Sequence, residues 1–128
     1  MHDDIYKQNI LDHYKYPHNK GVLEGCSVSQ DGANPSCGDT VVLYLDIKDN
    51  VIRDVSFDGD GCAISQAATS MLTDKIKGMS LQDVKLLTPG DIYTMLGVTI
   101  SPGRVKCALL SYGALCDAIE TFEKNKTK

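Results

Sequence analysis

From Thr40 to Ile47, Val41, Leu43, Leu45 and Ile47 fall on one side of the chain and Val42, Tyr44 and Asp46 on the other. This is the period of two that a half-buried β-strand needs. Lys48-Asp49-Asn50 supplies turn chemistry, and Val51, Val55 and Phe57 continue on a partner strand, so the segment reads as an antiparallel hairpin. A weaker alternation, Cys26, Val28 and Gln30, predicts a further strand up to about Asp31. Elsewhere the spacing is helical. Ile5, Tyr6, Ile10 and Tyr14 predict an amphipathic helix over 3–15, ended by Pro17, Asn19 and Gly21. Asp58-Gly59-Asp60-Gly61 breaks the sheet, and Ile64, Ala68, Met71, Leu72 and Ile76 predict a helix that Gly78 stops. Ser80 is the expected cap of a short helix through Leu87, and Asp91 of another ending at Gly97. The last helix starts near Pro102-Gly103 and runs to about Glu123, with Val105, Ala108, Leu109, Tyr112, Cys116 and Ile119 on one stripe. The predicted class is α+β, a small antiparallel sheet with helices packed on one face and a long C-terminal helix.

Composition adds limits to this pattern. With 128 residues, 42% hydrophobic and 23% charged, the chain fits one folded domain over 1–128. A net charge of −4 excludes the broad basic face that nucleic acid requires. The one basic run, 124–128, reads as a frayed tail. The first residues lack the features of a secretory signal or presequence, and no apolar stretch approaches the roughly 18 residues of a membrane span, so the expected address is the cytoplasm.

Five cysteines in such a compartment are poor candidates for disulfides and better ones for metal ligands, reactive groups or small buried residues. Cys37 follows Asn34-Pro35-Ser36 just before the strong strand, with Gly38 allowing a tight turn. Cys62 stands at a helix start, where the macrodipole and free amides favour a thiolate. Cys107 lies in the first turns of the last helix beside Arg104 and Lys106, whose positive charge acts in the same sense. Asp39, two residues beyond Cys37, can bend toward the same centre. Three sulfurs and one carboxylate complete a tetrahedral set for zinc or a small iron-sulfur cluster, and point away from magnesium and calcium. Cys26 and Cys116 are expected as buried small residues; Cys116, nine residues beyond Cys107, is half a turn out of phase with it. Asp58-Gly59-Asp60-Gly61 lacks the later acidic ligand of a calcium loop. There is no Cys-x-x-Cys and no phosphate-binding loop. His2, His13 and His18 read as surface or structural residues.

Four segments together resemble the IscU/SufU (NifU amino-terminal) family of iron-sulfur cluster assembly scaffolds: Ile10-Leu11-Asp12-His13-Tyr14 with Pro17 and Asn19; Asn34-Pro35-Ser36-Cys37-Gly38-Asp39; Gly59-Asp60-Gly61-Cys62-Ala63-Ile64-Ser65; and Arg104-Val105-Lys106-Cys107-Ala108-Leu109. The resemblance implies a three-stranded antiparallel sheet with packed helices and a site of Cys37, Asp39, Cys62 and Cys107 at one exposed end. It implies a carrier rather than an enzyme, and the chain is expected to be a monomer or weak homo-oligomer. Such a protein takes sulfur from a cysteine desulfurase, builds a transient [2Fe-2S] cluster, and passes it to recipient apo-proteins. Cys107 is the expected first acceptor of sulfur, because it starts an exposed helix beside cationic groups. Lys106 and Arg104 would offset the charge of the cluster. Zinc is the alternative occupant, in a SufU-like sulfurtransferase that accepts persulfide sulfur from the desulfurase and activates it. Lys106 stands where IscU-type members carry histidine, and Ile100-Ser101-Pro102-Gly103-Arg104 where they carry a chaperone-read Leu-Pro-Pro-Val-Lys, so a dedicated Hsp70-type chaperone is not expected. The third cysteine motif is SufU-like, whereas the step from Cys62 to Cys107 is too short for the insertion usual in that branch.

Overall fold

A computed structural model describes residues 2–36 and 38–126, apart from the side chains of 2–7 and 126. Helix α1 (His2–Lys15) precedes strands β1 (Val28–Asn34), β2 (Asp39–Lys48) and β3 (Val51–Asp58). Helices α2 (Ala63–Ile76), α3 (Leu81–Val84), α4 (Pro89–Leu96) and α5 (Val105–Lys126) follow, with a 3-10 turn at Pro102–Arg104 before the last. The strands form one antiparallel sheet in the order β1-β2-β3. Asp49 and Asn50 both have positive φ, 54° and 61°, as the tightest hairpin turns require, and Lys48 pairs with Val51 across them. β1 extends to Asn34, beyond the expected end near Asp31, because its register with β2 continues to the Asn34–Asp39 pair.

Val41, Leu43, Leu45 and Ile47 are buried beneath the helices, while Val42, Tyr44 and Asp46 are half-buried on the other face. α5 packs on β1 and β2, α2 on β3 and α5, and α1 on the outer side of α2. Leu43, Leu45, Phe57, Leu72, Ile76, Leu96 and Leu115 fill the space between.

Several expectations need correction. Thr88, not Asp91, is the N-cap of α4: its side chain accepts from the Asp91 amide while the Asp91 carboxylate accepts from the Thr88 amide. This capping box places Pro89 at the first helical position, where its missing N–H costs nothing. The short helix capped by Ser80 ends at Val84 rather than Leu87. Tyr14, expected on the apolar stripe of α1, is exposed, and Ile10 is the buried residue of the described part of that stripe. Of the expected frayed tail over 124–128, residues 124–126 are helical, with Lys124 Nζ 3.0 Å from Glu120 Oε1, and 127–128 lie outside the described residues.

α1 is fastened to α2 through polar groups. Ser70 Oγ lies 2.7 Å from His13 Nδ1 and accepts from the His18 amide at 2.8 Å. Burial, and then the neighbouring charge of His18, hold His13 below the usual histidine pKa. A lowered folded-state pKa contributes stability that is complete above the unfolded value near 6.5 and is lost as pH falls through the folded one. The melting temperature should therefore fall with acidification below about pH 6.5, and His13→Gln should flatten that slope in thermal melts across the window.

Candidate metal centre

Three chain segments meet at one edge of the sheet. Asn34 ends β1 and Asp39 starts β2 as its register partner; Gly38, at φ 71°, turns the chain between them. Cys37 lies outside the described residues, so three of the four expected ligands are placed. Beyond β3, Thr40 and Asp60 exchange backbone hydrogen bonds of 2.7 and 3.2 Å, laying 59–61 along the start of β2. Gly61 permits a close approach to the carboxylate: a Cβ there would fall 2.7 Å from Asp39 Oδ1 and 3.2 Å from Ser65 Oγ.

Cys62 is the N-cap of α2, its backbone extended at φ −70° and ψ 169° and its Sγ accepting from the Ser65 amide at 3.4 Å. The sulfur thus takes the place of the oxygen that a serine or aspartate cap supplies. The Cys62 amide donates to Asp39 Oδ1 at 3.0 Å, tying carboxylate to helix. Cys107, in the first turn of α5, is 1% exposed and receives Asn34 Nδ2 at 3.7 Å. One ligand atom each from Asp39, Cys62 and Cys107 therefore lies within 4.8 Å of the others.

The arrangement suits a thiophilic cation. With zinc–sulfur bonds of about 2.3 Å, ligand atoms on one tetrahedral ion stand roughly 3.5 Å apart, so closure takes shifts on the order of 1 Å. Asp39 is 1% exposed, and its Oδ2 has no hydrogen-bond partner among the described residues. A buried carboxylate oxygen left uncompensated is costly, and a cation removes that cost. Two sulfurs with one carboxylate favour zinc or iron over magnesium or calcium.

Cys107 was expected at an exposed helix start; it is buried, while Arg104 and Lys106 beside it are exposed. Cys107, Ser111, Ala114 and Ala118 are buried on α5, small residues that admit close packing, and Ala114 and Leu110 lie against Gly32 of β1. The sequence stripe followed the larger apolar side chains and so turned the helix too far. Cys116 is in consequence exposed rather than buried, on the side opposite Cys107, and Cys26 is half-buried. Asn34 and Ser65 were not singled out as site residues; Asn34 becomes visible once β1 is carried to its pairing with Asp39.

A family model described as "NifU-like N terminal domain" matches residues 5–128. The chain belongs to that family. As a NifU-like domain it is 38% identical to the zinc-dependent sulfurtransferase SufU of Bacillus subtilis, over 88% of each chain. It is 33% identical to the iron-sulfur cluster assembly scaffold protein IscU of Streptococcus pyogenes, over 91% of this chain and 83% of that one. A crystal structure from Fervidobacterium islandicum, described as a scaffold for the SUF system, superposes with a TM-score of 0.74 at 34% identity, covering 91% of this chain and 97% of that one. Relatives of the NifU-like domain thus carry both names, scaffold and sulfurtransferase. Among its described residues no helix is long and apolar enough to cross a membrane.

Proposed function

We propose that this NifU-like domain is a scaffold on which a [2Fe-2S] cluster is built, held by Cys37, Asp39, Cys62 and Cys107, and from which it passes to recipient apo-proteins. The convergence of Asp39, Cys62 and Cys107, with one buried carboxylate oxygen unpartnered among the described residues, carries this reading. A cysteine desulfurase supplies sulfur as a persulfide. An acceptor thiolate attacks the outer sulfur, the persulfide S–S bond breaks, and the desulfurase cysteine leaves as its thiolate. Each delivered sulfur becomes sulfide on taking two electrons from an external thiol reductant. Cys107 acts as acceptor only after its neighbours withdraw, whereas half-exposed Cys62 is reached directly. Two ferric ions, two sulfides, three thiolates and a carboxylate form a dianion, and Lys106 and Arg104 supply offsetting charge nearby.

Asp39 is the labile ligand, because a hard carboxylate holds iron less firmly than a thiolate. Asp39→Cys should slow transfer of a preassembled cluster to an apo-ferredoxin at least about tenfold, followed by circular dichroism. An unchanged transfer rate would remove this role from the carboxylate.

Lys106 in place of histidine and the identity to SufU of B. subtilis favour a second reading, a zinc-bound sulfurtransferase. The same four residues would then hold zinc, which keeps bound thiols deprotonated. A thiol released by the desulfurase would accept its sulfur and so activate it.

A further inference from the structure

The far end of α2 carries a second group of metal-ligating side chains. His13 from α1, His18 from the segment after it and Asp74 from the last turn of α2 each place one ligand atom within 4.8 Å of the others. Asp74 lies twelve residues beyond Cys62, about 18 Å at the helical rise of 1.5 Å per residue, so this group is separate from the thiol site. The two imidazole rings are 4.4 Å apart, centre to centre, and His18 Nδ1 is hydrogen-bonded to Asp74 Oδ2.

We propose that His13, His18 and Asp74 form a second site, which binds a divalent first-row transition metal such as ferrous iron or zinc. Two imidazoles and one carboxylate, with remaining positions open to solvent, are a donor set that such ions favour.

Supporting contacts orient each ligand, as they do in metal sites. Ser70 Oγ holds both His13 Nδ1 and the His18 backbone amide. Asn19 Nδ2 donates to Asp74 Oδ1 at 2.9 Å, leaving Oδ2 turned toward His18, and Lys77 Nζ fixes Asn19 through its Oδ1 at 2.8 Å. His18 and Asp74 are exposed and His13 is half-buried, with an open cleft beside His13 and Asp74 bounded by Asn9, Met71 and Met95. A cation can therefore enter without disturbing the core. It would replace the hydrogen bond between His18 Nδ1 and Asp74 Oδ2, whose 2.5 Å separation must open to roughly 3.3 Å, and His13 would close on it by a shift on the order of 1 Å. The bound ion joins α1 to α2.

The test uses the full chain and Co2+ as probe, with two signals read in one titration. Sulfur-to-cobalt charge-transfer absorption reports the thiol site, and paramagnetic shifts of the His13 and His18 ring protons report the second. The proposal predicts both signals in the native chain. His18→Gln and Asp74→Asn, changes at exposed positions, should weaken cobalt binding at the second site at least tenfold and leave the charge-transfer signal intact. Ring-proton shifts that are absent in the native chain up to millimolar Co2+, or that persist unchanged in Asp74→Asn, would overturn it. Loss of the charge-transfer signal alone would count against the thiol site and leave the second site standing.

Discussion

Gly59→Ala is expected to cost the fold about 3 kcal/mol and to lower the melting temperature by about 10 °C. Two penalties add at this position. Gly59 has φ +130°, a conformation that side-chain-bearing residues avoid. A Cβ would also meet the backbone of β2, 2.8 Å from Val41 Cα, where no side chain can swing aside. Relief requires 59–61 to lift from β2, breaking the Thr40–Asp60 hydrogen bonds that deliver Cys62 to Asp39. Gly78 is the control: its φ is +89°, but a Cβ there would meet open space. Gly78→Ala should therefore cost only about 1 kcal/mol, the strain of the backbone alone. Urea denaturation of both variants gives the comparison, and equal costs would mean that contact with β2 does not matter.

Cys62→Ser is expected to separate the stability of the fold from its cargo. Serine is a preferred N-cap, so its hydroxyl can accept from the Ser65 amide in place of the sulfur, and metal-free stability should stay within about 1 kcal/mol of the native chain. The hydroxyl is a hard, protonated donor where the site offers a soft one, so zinc or cluster retention should fall by a factor on the order of 100 or more. Competition against a chromophoric chelator measures the first, and iron with acid-labile sulfide the second. Native-like retention would mean that Cys62 serves as a cap and not as a ligand.

The hairpin and the helix order were legible in the sequence because each rests on a local signal. Strict alternation marks β2, Asp49-Asn50 marks its turn, and glycines stand where the backbone must approach closely. The rotation of α5 was not legible. Cys107, Ser111, Ala114 and Ala118 are small buried positions that a periodicity of large side chains passes over, so Cys107 and Cys116 exchanged burial. The cap of α4 was missed because the threonine–aspartate reciprocity depends on Pro89 entering the helix. The grouping of His13 and His18 with Asp74 depends on how α1 crosses α2, which no local pattern encodes.

The proposed scaffold role requires Asp39, Cys62 and Cys107, with Cys37, to hold a cluster built in place. The most direct measurement purifies the protein without oxygen, determines its iron, sulfide and zinc, and reconstitutes it with a cysteine desulfurase, cysteine, ferrous iron and a thiol reductant while the visible spectrum is followed. The account predicts two irons and two sulfides arriving together on each chain, with sulfur-to-iron charge-transfer absorption that Cys62→Ser abolishes. Zinc that persists through reconstitution, together with an activated desulfurase and no stable cluster, would contradict it.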